Sequence, residues 1–448
     1  MSDDEPSPSD DSRAARRSRP AAVVAALALL VLAACTPSAG EPTTSADRAG
    51  AGTRPAAGAP SEPQTPTVRT DLATAVATAD ELYAVPDPLP AADHGTLLRY
   101  QEVTPSIAEH GTTYRILYLS TSVRGEPIAV SGTAVVPTAP PPDGGRVLLS
   151  IGHGTTGVAD ECAPSREPDR FELSLMGPVV TKGWLLVQTD YEGLGTPGRH
   201  PYLVGESEGR SMLDAARAAA ALPDAHTGTR LGLAGYSQGG HAALWADGLA
   251  AAWTPELDVT GVFAGAPATE IDAFLQSLPA GRPRDAFGLL VAAGHLAAHP
   301  DDDPAAYLTP AGVAHLDAVD RGCLNDLYWQ LDGVGPSEAL LTGDATGPAW
   351  SALAAETDPA RAVAPDPVLI VHSAQDEVIP ASLSEQLATR LCEQGRTVER
   401  RVLADGGTHG GAAFDAYLQG LTWLAAIVDG GPPPVSTCAP LNRAPANR

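Results

Sequence analysis

Leu231-Gly232-Leu233-Ala234-Gly235-Tyr236-Ser237-Gln238-Gly239-Gly240 is the stretch that decides the fold. An apolar run stops at Gly235, and a small-residue helical pattern from His241 to Ala252 follows at once. Gly-x-Ser-x-Gly between a strand and a helix is a nucleophile elbow, a turn so tight that its serine adopts strained backbone angles. Side chains two residues to either side of Ser237 would strike the neighbouring strand and helix, so positions 235 and 239 need glycine. Gly240 gives the helix further room. A glycine-rich turn with an incidental serine is the plain alternative, and the strand and helix that frame this turn weigh against it.

A serine hydroxyl is a weak nucleophile at neutral pH and needs an adjacent base. On such a scaffold the acid and the base follow the serine in that order. Pro367-Val368-Leu369-Ile370-Val371-His372 reads as a buried parallel strand, short, apolar and β-branched. Asp376 then falls on a loop at the carboxyl end of that strand, where open α/β sheets place their working residues. Glu377 and Asp366 are its substitutes. A second strand, Thr397 to Leu403, leads to Gly406-Gly407-Thr408-His409-Gly410-Gly411, placing His409 in a glycine-rich loop before a helical pattern, Ala412 to Val428. An imidazole titrates near neutrality, so His409 can take the serine proton and return it to the leaving group. A carboxylate on its far nitrogen would set the tautomer. His372 reads as core packing, and His295, His299 and His315 as side chains without chemistry.

Acyl transfer also needs donors for an oxyanion. One is the backbone N–H of Gln238, the residue after the nucleophile. The other is expected in the loop Gly152-His153-Gly154-Thr155-Thr156-Gly157 after the strand Arg146 to Ile151. Thr155 is the preferred donor and Thr156 its substitute.

These motifs, with Thr189-Asp190-Tyr191-Glu192-Gly193-Leu194-Gly195-Thr196-Pro197-Gly198 and the later Gly209-Arg210-Ser211-Met212-Leu213-Asp214, resemble the secretory lipase family, from about Asp71 to Cys438. The Asp-Tyr-x-Gly-Leu-Gly segment is the most specific part. The resemblance implies an α/β-hydrolase fold and hydrolysis of carboxylic esters, acylglycerols included. It puts that family's serine, aspartate and histidine on Ser237, Asp376 and His409, and its oxyanion donors on Gln238 and Thr155.

The expected fold class is α/β, a mostly parallel central sheet with helices on both faces. Extended segments at Tyr114–Ser122 and Ile128–Val136 suggest an antiparallel start. Parallel strands follow near Val147–Ile151, Trp184–Thr189, Leu231–Ala234, Val259–Ala264, Val368–His372 and Val398–Leu403. Residues from about 270 to 360 are rich in Ala, Leu, Asp and Gly without clear strands, far longer than one crossover, and read as a mainly helical cap. The hydrolase domain is bounded at 71–438, with a tail at 439–448.

Arg13, Arg16, Arg17 and Arg19 precede an apolar run, Ala21 to Ala34, too short to span a bilayer. Leu32-Ala33-Ala34-Cys35 resembles a lipobox, so residues 1–34 read as a lipoprotein signal and Cys35 as the lipidated residue. Residues 35–70 hold few apolar side chains and read as a disordered tether. The product would be exported, and either lipid-anchored on the outer side of the membrane or secreted. With Cys35 set aside, Cys162, Cys323, Cys392 and Cys438 are an even number in an oxidising compartment, with three pairings open. The family resemblance favours Cys162–Cys323 and Cys392–Cys438.

A hydrophobic share of 44% in 448 residues is enough for a sizeable core, and a net charge of −26 argues against nucleic acid as a partner. A monomer is expected. No cofactor and no metal are implied, for want of a phosphate-binding glycine fingerprint and of a close His/Cys pairing at ligand spacing. The functional expectation is a serine hydrolase that cleaves carboxylic esters through an acyl-enzyme. A serine peptidase or amidase on the same fold, or a non-catalytic binding lipoprotein, are the alternatives.

Overall fold

The computed structural model describes residues 70–104, 109–167, 171–335, 338–432 and 434–438. The signal segment, Cys35, the tether up to residue 69 and the tail 439–448 lie outside them. Among the described residues, ten strands form one sheet. They are β1 (Thr74–Ala75), β2 (Leu97–Val103), β3 (Gly111–Thr121), β4 (Pro127–Pro137), β5 (Arg146–Gly152), β6 (Leu185–Thr189), β7 (Thr227–Tyr236), β8 (Asp258–Gly265), β9 (Val368–Ser373) and β10 (Val398–Leu403). Their spatial order is β1-β2-β3-β4-β6-β5-β7-β8-β9-β10.

Strands β2, β3, β4 and β6 pair antiparallel in succession, and β6, β5, β7, β8, β9 and β10 run parallel. Sequence reading missed β2. Its Leu-Leu-Arg-Tyr-Gln-Glu-Val run has no clean alternation and only two fully buried residues, Leu97 and Leu98.

Successive side chains of a strand face opposite ways, and here both faces are covered. Leu148, Leu231, Leu233, Val262 and Ile370 pack with Met212, Ala216, Ala243 and Ala246 from the helices Gly205–Ala220 and Gln238–Trp253. Leu149, Ile151, Ala234, Phe263 and Val371 pack on the other face with Ala416, Tyr417 and Leu424 from the helix His409–Val428. Small residues let the helices lie close. A Cβ at Gly209 would sit 2.9 Å from the backbone nitrogen of Ala246.

After β5 the chain passes to β6 on one side, and later to β7 on the other. The loops leaving β5 and β7 therefore diverge and open a crevice at the carboxyl edge, where open α/β sheets bind ligands. Between β8 and β9 the chain runs through helices such as Ile271–Ser277, Arg282–Ala298, Leu324–Gln330 and Pro348–Thr357. They bury a core of their own, including Phe274, Leu275, Leu290, Val291, Leu327 and Trp350. Among the described residues no helix is long and apolar enough to cross a membrane.

Candidate active site

Ser237 sits between β7 and the helix Gln238–Trp253 with φ 59° and ψ −121°. This left-handed backbone is costly for any residue but glycine. Its N–H donates to the Gly265 carbonyl at 2.8 Å. A Cβ on Gly235 would lie 2.1 Å from the Gly239 oxygen, and one on Gly239 would lie 2.0 Å from the Gly152 oxygen. The elbow is thus wedged against the end of β5, and the two glycines are required by backbone contact.

The Asp376 side chain is fully buried. Its Oδ1 accepts the N–H groups of Val378 at 2.9 Å and Ile379 at 2.8 Å. Its Oδ2 lies 2.6 Å from His409 Nδ1 and 3.1 Å from His372 Nε2. His372 Nε2 also faces the Ile379 carbonyl oxygen at 2.9 Å, so that nitrogen carries a proton. Burial alone would raise the Asp376 carboxyl. The bonds from His372 and His409, the His409 charge and the Ile379 amide outweigh it and hold the carboxyl well below the usual range.

His372 is therefore more than core packing, since it shares the carboxylate with His409. The two substitutes for Asp376 do not meet the ring. Glu377 accepts the backbone N–H of His409 at 2.9 Å, and Asp366 lies before the first residue of β9, at the opposite end of that strand.

His409 is the first residue of its helix rather than part of a preceding loop, with Thr408 as N-cap. The Tyr236 hydroxyl donates to the His409 carbonyl at 2.7 Å, and the two rings lie 5.1 Å apart. Ser237 and His409 line one pocket of about 680 Å³. They make no direct hydrogen bond among the described residues.

Gln238 opens its helix, where the first N–H groups have no partner within the helix. Its side chain is buried, and Nε2 donates to Glu208 Oε1 at 2.8 Å and to His200 Nε2 at 2.9 Å. Burial lowers His200 to about 4, so the ring is neutral at pH 7. It donates from Nδ1 to the Glu192 carbonyl at 2.9 Å. Glu208 Oε2 meets His241 Nδ1 at 2.7 Å, both side chains fully buried.

On the other side, the Thr155 hydroxyl pairs with the Tyr202 hydroxyl at 2.7 Å, and the Gly154 N–H is taken by Glu172 at 3.2 Å. The Tyr191 hydroxyl donates to the His153 carbonyl at 3.1 Å. Asp190 accepts from Ser131 Oγ at 2.6 Å, the Ser165 N–H at 2.9 Å and Ser165 Oγ. The Asp190–Gly195 segment thus braces both walls of the crevice, through His153 on one side and through Glu192, His200 and Gln238 on the other. Its motif is visible in the sequence, but nothing local reveals these partners.

Two disulfides form, Cys162–Cys323 and Cys392–Cys438. The first joins the segment after the Gly152–Gly157 loop to the helical insertion, whose Leu324 N–H donates to the Thr156 carbonyl at 2.8 Å. Phe287, Leu324 and Tyr328 of that insertion line the pocket beside Thr155, Thr156, Val378, Ala413 and Tyr417. Phe274, Leu275, Leu278, Leu289, Leu290 and Val291 instead turn into the insertion's own core. The view that no close histidine pairing exists overlooked His295 and His299, four residues apart at the end of one helix.

The sequence profile of the secretory lipase family matches residues 169–436, more than half of the chain. The chain belongs to the secretory lipase family. This family member is 27% identical over 239 residues to Lipase A of Moesziomyces aphidis, and the match spans only half of each chain. It is 28% identical over 351 residues, 71% of this chain and 75% of the other, to a Mycobacterium tuberculosis protein named a probable inactive lipase. Candida antarctica lipase A shares its fold with a TM-score of 0.66 at 21% identity, over 80% of this chain and 87% of that one. A rice cell wall degrading esterase, LipA of Xanthomonas oryzae, follows at 0.60 and 20%, over 76% and 98%. The fold is that of the α/β-hydrolases.

Proposed function

We propose that this protein hydrolyses carboxylic esters through an acyl-enzyme on Ser237. The observation that carries the reading is the 2.6 Å contact between buried Asp376 and His409, in a pocket that also presents Ser237 at an elbow. Ser237 Oγ attacks the ester carbonyl while His409 Nε2 takes its proton. The bond from His409 Nδ1 to Asp376 leaves Nε2 free as base and stabilises the imidazolium that forms. The N–H groups of Gln238 and Thr155 hold the oxyanion. Gly154 is the less suitable donor in that loop, because Glu172 occupies its amide. His409 then protonates the leaving alcohol, and water attacks the acyl-enzyme by the reverse sequence.

Export is the matching compartment. The curated relatives include secreted triacylglycerol lipases of Malassezia globosa, and the two disulfides fit an oxidising environment. In this reading the helices between β8 and β9 form the cap over the site, Cys35 is the lipid-bearing N-terminus, and the substrate is a lipid ester taken up by a monomer. Membrane fractionation of Cys35→Ser tests the anchor, and an unchanged distribution refutes it.

A fluorophosphonate probe should label the wild type and not Ser237→Ala, which should lose ester turnover by roughly 10⁶ while keeping its fold. Labelling of Ser237→Ala, or activity within tenfold of wild type, refutes the nucleophile. A folded wild type that takes no label supports a binding protein instead, and faster amide than ester turnover supports a peptidase.

A further inference from the structure

In the helical insertion between β8 and β9, two histidines and two carboxylates converge. His295 lies in the last turn of the helix Arg282–Ala298, and His299 caps its C-terminus. A spacing of four puts them on one helix face, and their rings lie tilted by 30° with centroids 4.4 Å apart. Glu356, from the helix Pro348–Thr357, reaches His299 Nε2 at 2.8 Å. Asp302 Oδ2 lies 2.9 Å from His295 Nε2, and the Tyr307 hydroxyl lies 2.8 Å from the same nitrogen. One ligand atom from each of His295, His299 and Glu356 falls within 4.8 Å of the others.

Hydrogen-bonded pairs need one partner per imidazole, not the convergence of three donors of mixed type. Two imidazoles and a carboxylate suit a divalent transition metal of the zinc kind and not calcium or magnesium, which prefer all-oxygen shells. Metal–ligand bonds of about 2.0–2.2 Å place tetrahedral neighbours roughly 3.4 Å apart. The cluster would need to close by only about 1.4 Å at its widest, within reach of side-chain rotation. His299 and Glu356 side chains are 39% and 44% exposed, so an ion can enter from solution. Asp302 and Tyr307 are placed to orient His295, as outer partners of metal ligands do. The net charge of −26 favours cation uptake.

We propose that His295, His299 and Glu356 bind a zinc-type ion, which clamps the helices Arg282–Ala298 and Pro348–Thr357 together. Without the ion His299 pairs with Glu356, and His295 with Asp302 and Tyr307, so each polar group keeps a partner in either state. The first helix also carries Phe287 of the pocket wall, and the ion would stiffen that wall from its far end.

The test is equilibrium dialysis of the chelator-treated protein against zinc chloride, with thermal melts in parallel. One ion should bind per chain and raise the melting temperature. His299→Ala and Glu356→Gln should each weaken binding at least tenfold and remove the thermal shift. His315→Ala should change neither, because that ring instead meets the Ala311 carbonyl. Cobalt should give the visible absorption of a low-coordinate site in the wild type only. Circular dichroism checks that each variant is folded. No saturable binding, or binding untouched by both substitutions, overturns the site. Binding without a thermal shift overturns the clamp.

Discussion

Asp376→Asn probes the arrangement where it is most constrained. In the wild type Oδ1 holds two backbone N–H groups, and Oδ2 takes His409 Nδ1 at 2.6 Å and His372 Nε2 at 3.1 Å. Asparagine can keep its oxygen on the Val378 and Ile379 amides, which turns its NH₂ toward both rings. His372 still has the Ile379 carbonyl as acceptor. His409 can answer an incoming N–H only by moving its own proton to Nε2, and that nitrogen can then no longer take the serine proton. A wrong tautomer of this kind costs roughly 10⁴ in kcat, or about 5 kcal/mol of barrier at 1.36 kcal/mol per tenfold.

Stability should also fall. Bonds to a charged group are worth about 1.5–3 kcal/mol each. One is lost outright and one is weakened, giving roughly 2–4 kcal/mol at neutral pH. The folded carboxyl is held well below its unfolded value of about 3.9. Its contribution is complete above that value and is lost as pH falls through the folded one. The stability gap between wild type and variant should therefore narrow in acid. Steady-state kinetics on a p-nitrophenyl ester, with urea melts at neutral pH and below about pH 4, read both effects. A kcat within tenfold of wild type, or a more damaging Glu377→Gln, refutes the assignment of the acid.

Other predictions rest on separate parts of the molecule. Gly239→Ala should cut kcat at least tenfold and lower the melting temperature, because its Cβ would sit 2.0 Å from the Gly152 oxygen; Gly410→Ala, in open space on the same pocket, should do neither. Burial, aided by Asp344 and opposed by Arg284, pushes the Asp285 carboxyl up to about 6. The folded state then holds a proton that the unfolded state has released, so Asp285 costs stability as pH rises from about 4 to about 6. Asp285→Asn should stabilise by about 1 kcal/mol at neutral pH, discounted for partial solvent access, and by little at pH near 4. An equal gain at both would refute the buried-acid account. Removing Cys162–Cys323, which closes 161 residues, should cost more than removing Cys392–Cys438, which closes 46, within a range of about 2–5 kcal/mol. Calorimetry showing the reverse order would contradict this. Across p-nitrophenyl esters from acetate upward, kcat/KM should rise by up to about fourfold per methylene until the pocket fills, and Phe287→Ala should blunt the rise. Steadily falling values would exclude an acyl-binding cap.

Much of this protein is legible because its decisive signals are local. The elbow's Gly235, Ser237 and Gly239 lie within five residues, and the clash that requires Gly235 is with Gly239 itself, although Gly239 is required by the Gly152 oxygen of β5. The parallel strands announce themselves as apolar runs because both sheet faces are covered. Weaker patterns fail where burial is partial. Strand β2 has only Leu97 and Leu98 fully buried, and was missed. The start of the last helix was placed too late, because His409, Gly410 and Gly411 carry no apolar periodicity and Thr408 caps them from outside.

Partners distant in the chain belong to packing. Four cysteines allow three pairings by count, and the approach of the segment after the Gly152–Gly157 loop to the helical insertion selects Cys162–Cys323, the pairing the family resemblance favours. An insertion of that size needs a core, so Phe274, Leu275, Leu278, Leu289, Leu290 and Val291 turn into it, and of that run only Phe287 also reaches the pocket, beside Leu324 and Tyr328. His372 reads as core packing and Glu377 as a substitute acid until the loop after β9 folds back on the helix of His409, which brings one to the carboxylate and the other to the backbone. Gln238, His200, Glu208 and His241 form one buried network, though Gln238 is 30 residues from Glu208 and 38 from His200. A buried polar group must find a partner wherever the fold offers one, and that choice is made by three-dimensional proximity rather than by spacing along the chain.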